Sequence, residues 1–258
     1  MEQEVLKEAT KRLDITDIPA DINGRLADRR KEIIKEGLSE YFMFSVAGTE
    51  TVPNGWSKRM EAVKADGVKF DIVYRMRQYE YGDRPVRLFC WRNDDEHKLG
   101  ESPLPDGLVR IFRENGADGL AYLGEKLLRY VPVKAEIEVN LGPDDLVVYE
   151  MKKDQVTRFN FAFDPKNNDA VCGWDEKQQW VHTIRNYREK PIAFELRLMI
   201  GGDVEYTSEV QTTLFDYRTT ETKLSVDGRG KKEYPCTVLT HQGSNGKQQR
   251  IQLKDATR

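Results

Sequence analysis

The alternation that decides the fold is clearest in the stretch IAFELRLMI, residues 192–200. Its apolar residues recur at every second position, and Glu195 and Arg197 stand among the residues between them. Because successive side chains of a β-strand point to opposite faces of the sheet, this pattern predicts a strand with one buried face. The stretch VRLFCW, residues 86–91, is apolar on both faces and predicts a central strand.

The same period of two governs the chain from about residue 40 onward. Further alternating runs lie at residues 69–76, 136–141 and 158–163, and the last carries three phenylalanines on one face. Short sequences rich in Gly, Pro, Asn and Asp favour turns. They separate the runs at residues 53–55, 81–83, 105–107, 142–144, 201–203 and 227–228. Many short strands with regular turns predict antiparallel β-sandwich modules of the immunoglobulin-like type.

The length predicts two such modules behind a short helical segment. A sandwich of seven to nine strands needs about 100 residues, and the β region of this 258-residue chain is about twice that long. We place the modules at residues 39–142 and 143–258, with the boundary at Gly142–Pro143. Apolar residues at helical spacing, with a glycine near the end, predict that residues 1–38 are helical. The polar residues 164–169 are either a second break or a hairpin loop.

Composition and charge exclude several classes of protein. The chain has 41 Lys and Arg against 44 Asp and Glu, a formal net charge of −3, so nothing in the overall charge favours nucleic-acid binding. No run approaches the roughly 18 to 20 consecutive apolar residues of a membrane span. The three Cys are far apart, and with only three His they provide neither a disulfide framework nor a Cys-based zinc site. The first residues hold no apolar segment typical of a secretory signal, which leaves two expectations: a cytoplasmic protein or a piece of a longer gene product.

Several short strings occur together in a set order. They are EYFMFS at 40–45, VPNGWSKR at 52–59, PLPDG at 103–107, VRIF at 109–112 and TIRN at 183–186. In order and spacing the set resembles the bacterial domain-of-unknown-function family that forms the C-terminal β-rich region of mucoidy-inhibitor A-like proteins. The resemblance implies an antiparallel β-rich module at the end of a longer periplasmic or extracellular protein, after a helical or coiled-coil stretch. It assigns no catalytic residues.

The densest group of candidate oxygen ligands is Asp94, Asp95 and Glu96, followed by His97. Asp106 lies across a predicted hairpin and adds a fourth carboxylate. Calcium prefers six to eight oxygen ligands, so the four acidic residues are the candidate metal site, and no other cofactor is expected. The alternative is a solvated loop between two strands, because adjacent carboxylates do not all point the same way.

Arginine and aromatic residues concentrate between residues 74 and 92. The members that we take as a candidate binding surface are Arg75, Arg77, Tyr79, Tyr81 and Arg84. Guanidinium groups beside aromatic rings bind glycans or polyanions through charge and stacking. The alternative is a polar sheet face on which arginine side chains lie over aromatic rings.

Nothing in the sequence predicts a catalytic centre. His182 shares a face with Trp180 and Ile184, which predicts a hydrogen-bonded core histidine, and His241 is predicted in a loop. No nucleophile elbow and no paired acid and base stand on a recognisable element.

The sequence therefore predicts a non-catalytic envelope or extracellular module for interaction and assembly. Its helices or its sheet edges would bind a protein partner or a second copy. Two alternatives stay open, namely a cation-assisted hydrolase and a glycan- or polyanion-binding module.

Overall fold

The computed structural model describes residues 33–38, 41–46, 48–49, 51–58, 63–116, 119–167 and 169–255. The chain divides into two compact units, residues 1–64 and 65–258. In the first unit, β1 (Ile33–Leu38) and β2 (Tyr41–Val46) pair as an antiparallel hairpin.

This hairpin corrects part of the predicted helical segment, residues 1–38. The last six residues of the segment form β1, and Gly37 lies opposite Phe42 instead of ending a helix. The β-branched Ile33 and Ile34 and the apolar run YFMF of β2 favour a pleated pair in which the two backbones satisfy each other's hydrogen bonds. Residues 1–32, on which the rest of that prediction falls, lie outside the described residues.

Strands dominate the second unit. Its described helical elements are α1 (Gln78–Tyr81) and a 3-10 turn (Asp95–His97). Its described strands are β3 (Asp71–Met76), β4 (Val86–Arg92), β5 (Gly107–Glu114), β6 (Leu120–Leu128), β7 (Glu136–Pro143), β8 (Val147–Asp164), β9 (Ala170–Asn186), β10 (Ile192–Met199), β11 (Asp203–Ser208), β12 (Thr212–Asp216), β13 (Thr219–Val226), β14 (Lys231–Gly243) and β15 (Ile251–Lys254). The predicted mainly β class is confirmed.

The strands of the second unit form three sheets. A six-stranded sheet has the order β12-β13-β10-β3-β4-β7, a five-stranded sheet has the order β15-β11-β14-β9-β8, and β5 pairs with β6. The pairs β3–β10 and β11–β15 are parallel, and the other strand pairs are antiparallel. The immunoglobulin-like arrangement stays a prediction.

The boundary predicted at Gly142–Pro143 lies inside the second unit. Strand β7 runs through both residues, and β3 and β4, from before the boundary, share the six-stranded sheet with β10, β12 and β13, from after it. A Gly-Pro-Asp turn marks a local chain reversal, whereas strand pairing over long sequence separations decides which residues form one unit. The polar residues 164–169 connect β8 to β9 within a hairpin, which is one of the two alternatives that the sequence left open.

The main core lies between the six-stranded and five-stranded sheets. Phe194 and Leu196 of β10 and Tyr74 of β3 are buried with Ile184 of β9 and Tyr234 of β14. Strand β10, the stretch with the clearest alternation, lies between β13 and β3, and β4 lies between β3 and β7. Both positions agree with the burial patterns predicted for these two stretches. A separate cluster around Phe89 joins β4 and β7 to residues of β5 and β6.

The three phenylalanines of β8 are an exception to the predicted inward alternation. Phe159, Phe161 and Phe163 have 41%, 47% and 56% of their surfaces exposed. Strand β8 lies at the edge of the five-stranded sheet, and among the described strands it pairs only with β9. Alternation shows that a strand has two different faces, but burial needs a second layer above one of them.

His182 is fully buried in the main core region, as predicted. Its Nδ1 lies 2.9 Å from Tyr149 Oη, and its Nε2 lies 3.2 Å from Cys236 Sγ. Burial disfavours the charged imidazolium and lowers the pKa of His182 to about 4. By contrast, His241 was predicted in a loop and instead belongs to β14, where its Nδ1 lies 2.8 Å from Asp175 Oδ1.

We expect the buried His182 to weaken the fold in mild acid. Between pH 6.5 and pH 4 the unfolded chain protonates this imidazole and the native state does not, so stability falls as the pH decreases. From pH 7.5 to pH 5 this linkage removes about 2 kcal/mol from the free energy of unfolding. Urea unfolding at the two pH values measures the loss, and His182→Gln should reduce it by that amount. An unchanged pH dependence in His182→Gln would contradict the assignment.

Candidate anion-binding groove

One face of the six-stranded sheet carries a row of alternating charges, which we call the charge ladder. Its members are Glu138 of β7, Arg75 of β3, Glu195 and Arg197 of β10, and Glu221 and Lys223 of β13, and no member comes from β4, which lies between β3 and β7. The alternation that buries Phe194 and Leu196 on one face of β10 places Glu195 and Arg197 on the other. The ladder is therefore the polar counterpart of the main core.

The inner part of the charge ladder is buried. Arg75 Nη1 lies 2.8 Å from Glu138 Oε2, and Arg75 Nε lies 2.6 Å from Glu195 Oε1. Arg197 Nε lies 2.7 Å from the same Glu195 oxygen and 2.8 Å from Glu221 Oε1. The side chains of Arg75 and Glu195 are each 6% exposed. Water therefore cannot solvate either charge if its partner is removed. Hydrogen bonds from Arg75 hold the pKa of Glu138 below its usual value.

Arg197 also lines an open groove with a volume of about 280 Å³. Residues of three regions line it: Arg77, Tyr79 and Glu80 at α1, Arg197 and Met199 of β10, and Asp216 and Arg218 at the β12–β13 turn. The Phe215 ring contacts two of these guanidinium groups. Its centroid lies 3.9 Å from Arg197 Cζ and 5.3 Å from Arg77 Cζ, so the aromatic ring helps to hold both arginines in place.

The arginines of the groove differ in how far they are neutralised. Arg197 belongs to the charge ladder, and Arg77 donates to Glu80. Within the described part of the chain, the exposed Arg218 guanidinium has no carboxylate partner; its Cζ lies 5.5 Å from the Tyr217 ring centroid. A free guanidinium presents a planar set of donors that matches a carboxylate, sulfate or phosphate. Arg218 is therefore the residue of the groove best placed to bind an anion.

Only part of the predicted binding surface belongs to the groove. Arg77 and Tyr79 line it, and Tyr79 is 82% exposed. Arg75 is buried in the charge ladder, which corrects its prediction as a surface residue. Tyr81 is partly buried, and Arg84 is exposed but pairs with Asp145 at 2.6 Å. The strand ends at Met76 and α1 follows, so one continuous strand face does not carry all five residues.

The sequence did not point to Arg197, Phe215, Tyr217 or Arg218 as site residues. The local signal in each case was ordinary, namely the polar face of a predicted strand and the turn FDYR. These residues reach the neighbourhood of α1 because β10 pairs with β3, and β13 pairs with both β10 and β12. The pairing of β3 with β10 joins segments more than a hundred residues apart. The spacing of residues within one segment does not predict such pairing.

The predicted acidic site is not assembled as one cluster. Asp94 turns back on its own loop, where its Oδ1 lies 2.6 Å from His97 Nδ1, and that hydrogen bond lowers the pKa of Asp94. Asp106 accepts a hydrogen bond from the Tyr130 backbone N–H, and Asp95 and Glu96 are exposed. In the described ranges, no group of three or more His, Cys, Asp or Glu is arranged to hold a metal ion. Calcium binding stays a prediction.

The three cysteines are free thiols in different surroundings. Cys90 is partly buried, Cys172 is exposed and Cys236 is buried. Burial raises the pKa of Cys90 to about 11, and burial raises the pKa of Cys236 to about 11. Because the thiolate is the nucleophilic form, these two residues are weak nucleophiles at neutral pH.

We expect the charge ladder to contribute more stability than an exposed ion pair. Arg75→Met leaves Glu138 and Glu195 without this partner, and breaking such a buried pair costs about 3 kcal/mol. Arg84→Met removes the exposed pair with Asp145 and should cost less than about 1 kcal/mol. Urea unfolding of both variants measures the difference. Equal losses in the two variants would contradict a structural role of the ladder.

Among the described residues, no helix is long and apolar enough to cross a lipid bilayer.

Comparisons with known proteins do not identify a family for this chain. The resemblance to the C-terminal region of mucoidy-inhibitor A-like proteins stays a prediction. No family model, no curated protein and no solved structure matches this chain.

Proposed function

We propose that this protein is a non-catalytic binding module that holds an anionic ligand in the groove beside α1. The observation that carries the proposal is the exposed Arg218, which has no carboxylate partner among the described residues and lies beside the Tyr217 ring. Arg77 and Arg197 lie around Phe215, and each is already paired with a carboxylate. An anion bound to Arg218 therefore needs no existing ion pair to break.

The aromatic side chains indicate the class of ligand. Tyr79 and Tyr217 are exposed, at 82% and 58% of their surfaces, and offer flat apolar faces next to the guanidinium groups. A sugar ring stacks on such a face while its carboxylate or sulfate binds an arginine. An acidic glycan combines both features, and it agrees with the extracellular or periplasmic location that the family resemblance implies.

The environment of the nucleophile candidates supports a non-catalytic role. The pKa values of the Cys90 and Cys236 thiols are raised by burial, and His182 is enclosed between Tyr149 and Cys236. None of these groups lines the groove. The groove residues instead provide hydrogen-bond donors, charge and aromatic surface, which are the properties of a binding site.

Binding of a fluorescently labelled oligogalacturonate, followed by fluorescence anisotropy, tests the proposal. We expect binding at low ionic strength that weakens as salt is added, because salt screens exposed charges. Arg218→Ala should weaken it about tenfold, the value of one charge-assisted hydrogen bond. Arg218→Lys keeps the charge without the planar fork and should recover only part of the loss.

Arg229→Ala is the matched control. Arg229 is an exposed arginine in the β13–β14 turn, paired with Glu189 at 2.7 Å, and its loss should leave the affinity unchanged. Equal effects of Arg218→Ala and Arg229→Ala would show nonspecific charge attraction. That result, or the absence of binding by the unaltered protein at low salt, would overturn the proposal.

A further inference from the structure

The groove beside α1 also contains a carboxylate that the proposed function does not use. Among the described residues, two acidic side chains line the groove, Glu80 of α1 and Asp216 at the end of β12. Glu80 pairs with Arg77, and Arg197 belongs to the charge ladder. The charged side chains of the described groove that have no partner of opposite charge are therefore Arg218 and Asp216.

The turn between β12 and β13 fixes Asp216 next to Arg218. Asp216 lies opposite Thr219 where the two strands meet, and Tyr217 and Arg218 form the turn between them. Asp216 Oδ1 accepts a hydrogen bond of 2.9 Å from the Arg218 backbone N–H, a contact typical of aspartate in turns. Asp216 is exposed, and in the described part of the chain its second oxygen, Oδ2, has no hydrogen-bond partner. This oxygen is available to a ligand.

A carboxylate beside an anion-binding arginine restricts the chemistry of the ligand. It repels a second negative charge that lies near the one bound by Arg218. It also accepts hydrogen bonds, and those with a charged acceptor are stronger than those between neutral groups. The ligand that satisfies both Arg218 and Asp216 therefore carries one negative charge with hydrogen-bond donors close to it.

A uronic acid sugar has this combination. Its ring bears hydroxyl groups close to a single carboxylate, and one face of the ring can stack on an aromatic side chain such as Tyr79 or Tyr217. A sulfated sugar fits less well, because each sulfate ester replaces a hydroxyl donor and adds a negative charge. The pair of free charges in the groove thus favours the carboxylate class of acidic glycan.

We propose that Asp216 is a specificity-determining residue of the groove, and that it selects uronic acid sugars by accepting hydrogen bonds from their hydroxyl groups. Arg218 binds the ligand carboxylate, and Asp216 Oδ2 accepts from a neighbouring hydroxyl. The inference rests on the proposed anion-binding function and names the class of ligand within it.

Asp216→Asn tests the proposal by fluorescence anisotropy with two labelled chains of equal charge. One is the oligogalacturonate, and the other is an oligoacrylate, which has carboxylates and no hydroxyl donors. Loss of the Asp216 charge relieves repulsion for both ligands, but it weakens a hydrogen bond for the sugar alone. The ratio of the two dissociation constants isolates that hydrogen bond, and the preference for oligogalacturonate should fall about fivefold.

A sulfated ligand should respond in the opposite direction. Dextran sulfate meets the repulsion of Asp216 and gains little from it as an acceptor, so Asp216→Asn should bind a dextran sulfate oligosaccharide about threefold more tightly. A decrease in its affinity would contradict the selective role of Asp216.

Asp227→Asn provides the control. Asp227 is an exposed aspartate in the turn that follows the other end of β13, and its substitution causes the same change of net charge. The preference for oligogalacturonate should stay as it is in the unaltered protein. Circular dichroism confirms that both variants are folded.

The outcomes distinguish this inference from the proposed function. Suppose that oligogalacturonate binding depends on Arg218, while Asp216→Asn changes the affinities for oligogalacturonate and oligoacrylate by the same factor. The role of Asp216 is then wrong, and the anion-binding function stands. Equal losses of preference in Asp216→Asn and Asp227→Asn would also overturn that role. A lack of oligogalacturonate binding by the unaltered protein at low salt would overturn both.

Discussion

The ion pair between Arg75 and Glu195 depends on the parallel contact between β3 and β10, and it stabilises that contact in return. Both side chains are buried, and each would be costly to bury without the other. Arg75 lies directly opposite Glu195 in the register of these strands. A shift by one residue would turn the charge of the shifted strand into the main core and separate it from its partner, so the pair specifies the register as well as contributing stability.

That register determines where the candidate site lies. Arg197 lies two residues after Glu195, on the same face of β10. The alignment of β3 with β10 therefore places Arg197 beside Arg77, which follows the end of β3 and precedes α1. The β12–β13 hairpin then brings Phe215 and Arg218 to the same place. The charge ladder neutralises the buried arginines, whereas the exposed Arg218 in the groove has no carboxylate partner in the described ranges.

One outer strand of each main sheet, β7 and β8, illustrates two different environments. Strand β7, at the edge of the six-stranded sheet, is packed in the cluster that includes Phe89 and residues of β5 and β6. Strand β8, at the edge of the five-stranded sheet, exposes Val156 and its phenylalanines. Covered edges are protected against association, whereas exposed apolar edges attract further strands. The binding groove and the exposed edge are thus separate consequences of the same sheet arrangement.

The sequence by itself determined the features that depend on near neighbours along the chain. The period of two identified β4 and β10 as strands, and the position of His182 beside Trp180 and Ile184 identified a core histidine, because alternation expresses the geometry of a single strand. The sequence pattern led to a wrong assignment of residues 33–38 to a helix, because a short apolar run fits both the helical period of 3.6 and the strand period of two.

Only the tertiary structure decided which charges are buried and which are free. Arg75 and Arg218 look alike in sequence, yet one is enclosed between Glu138 and Glu195 and the other is exposed beside Tyr217. Strand pairing across long sequence separations created this difference, as it also joined the two predicted modules into one sheet. The physical reason is that local side-chain spacing sets the two faces of a strand, whereas its neighbours depend on hydrogen bonding and burial across the whole chain.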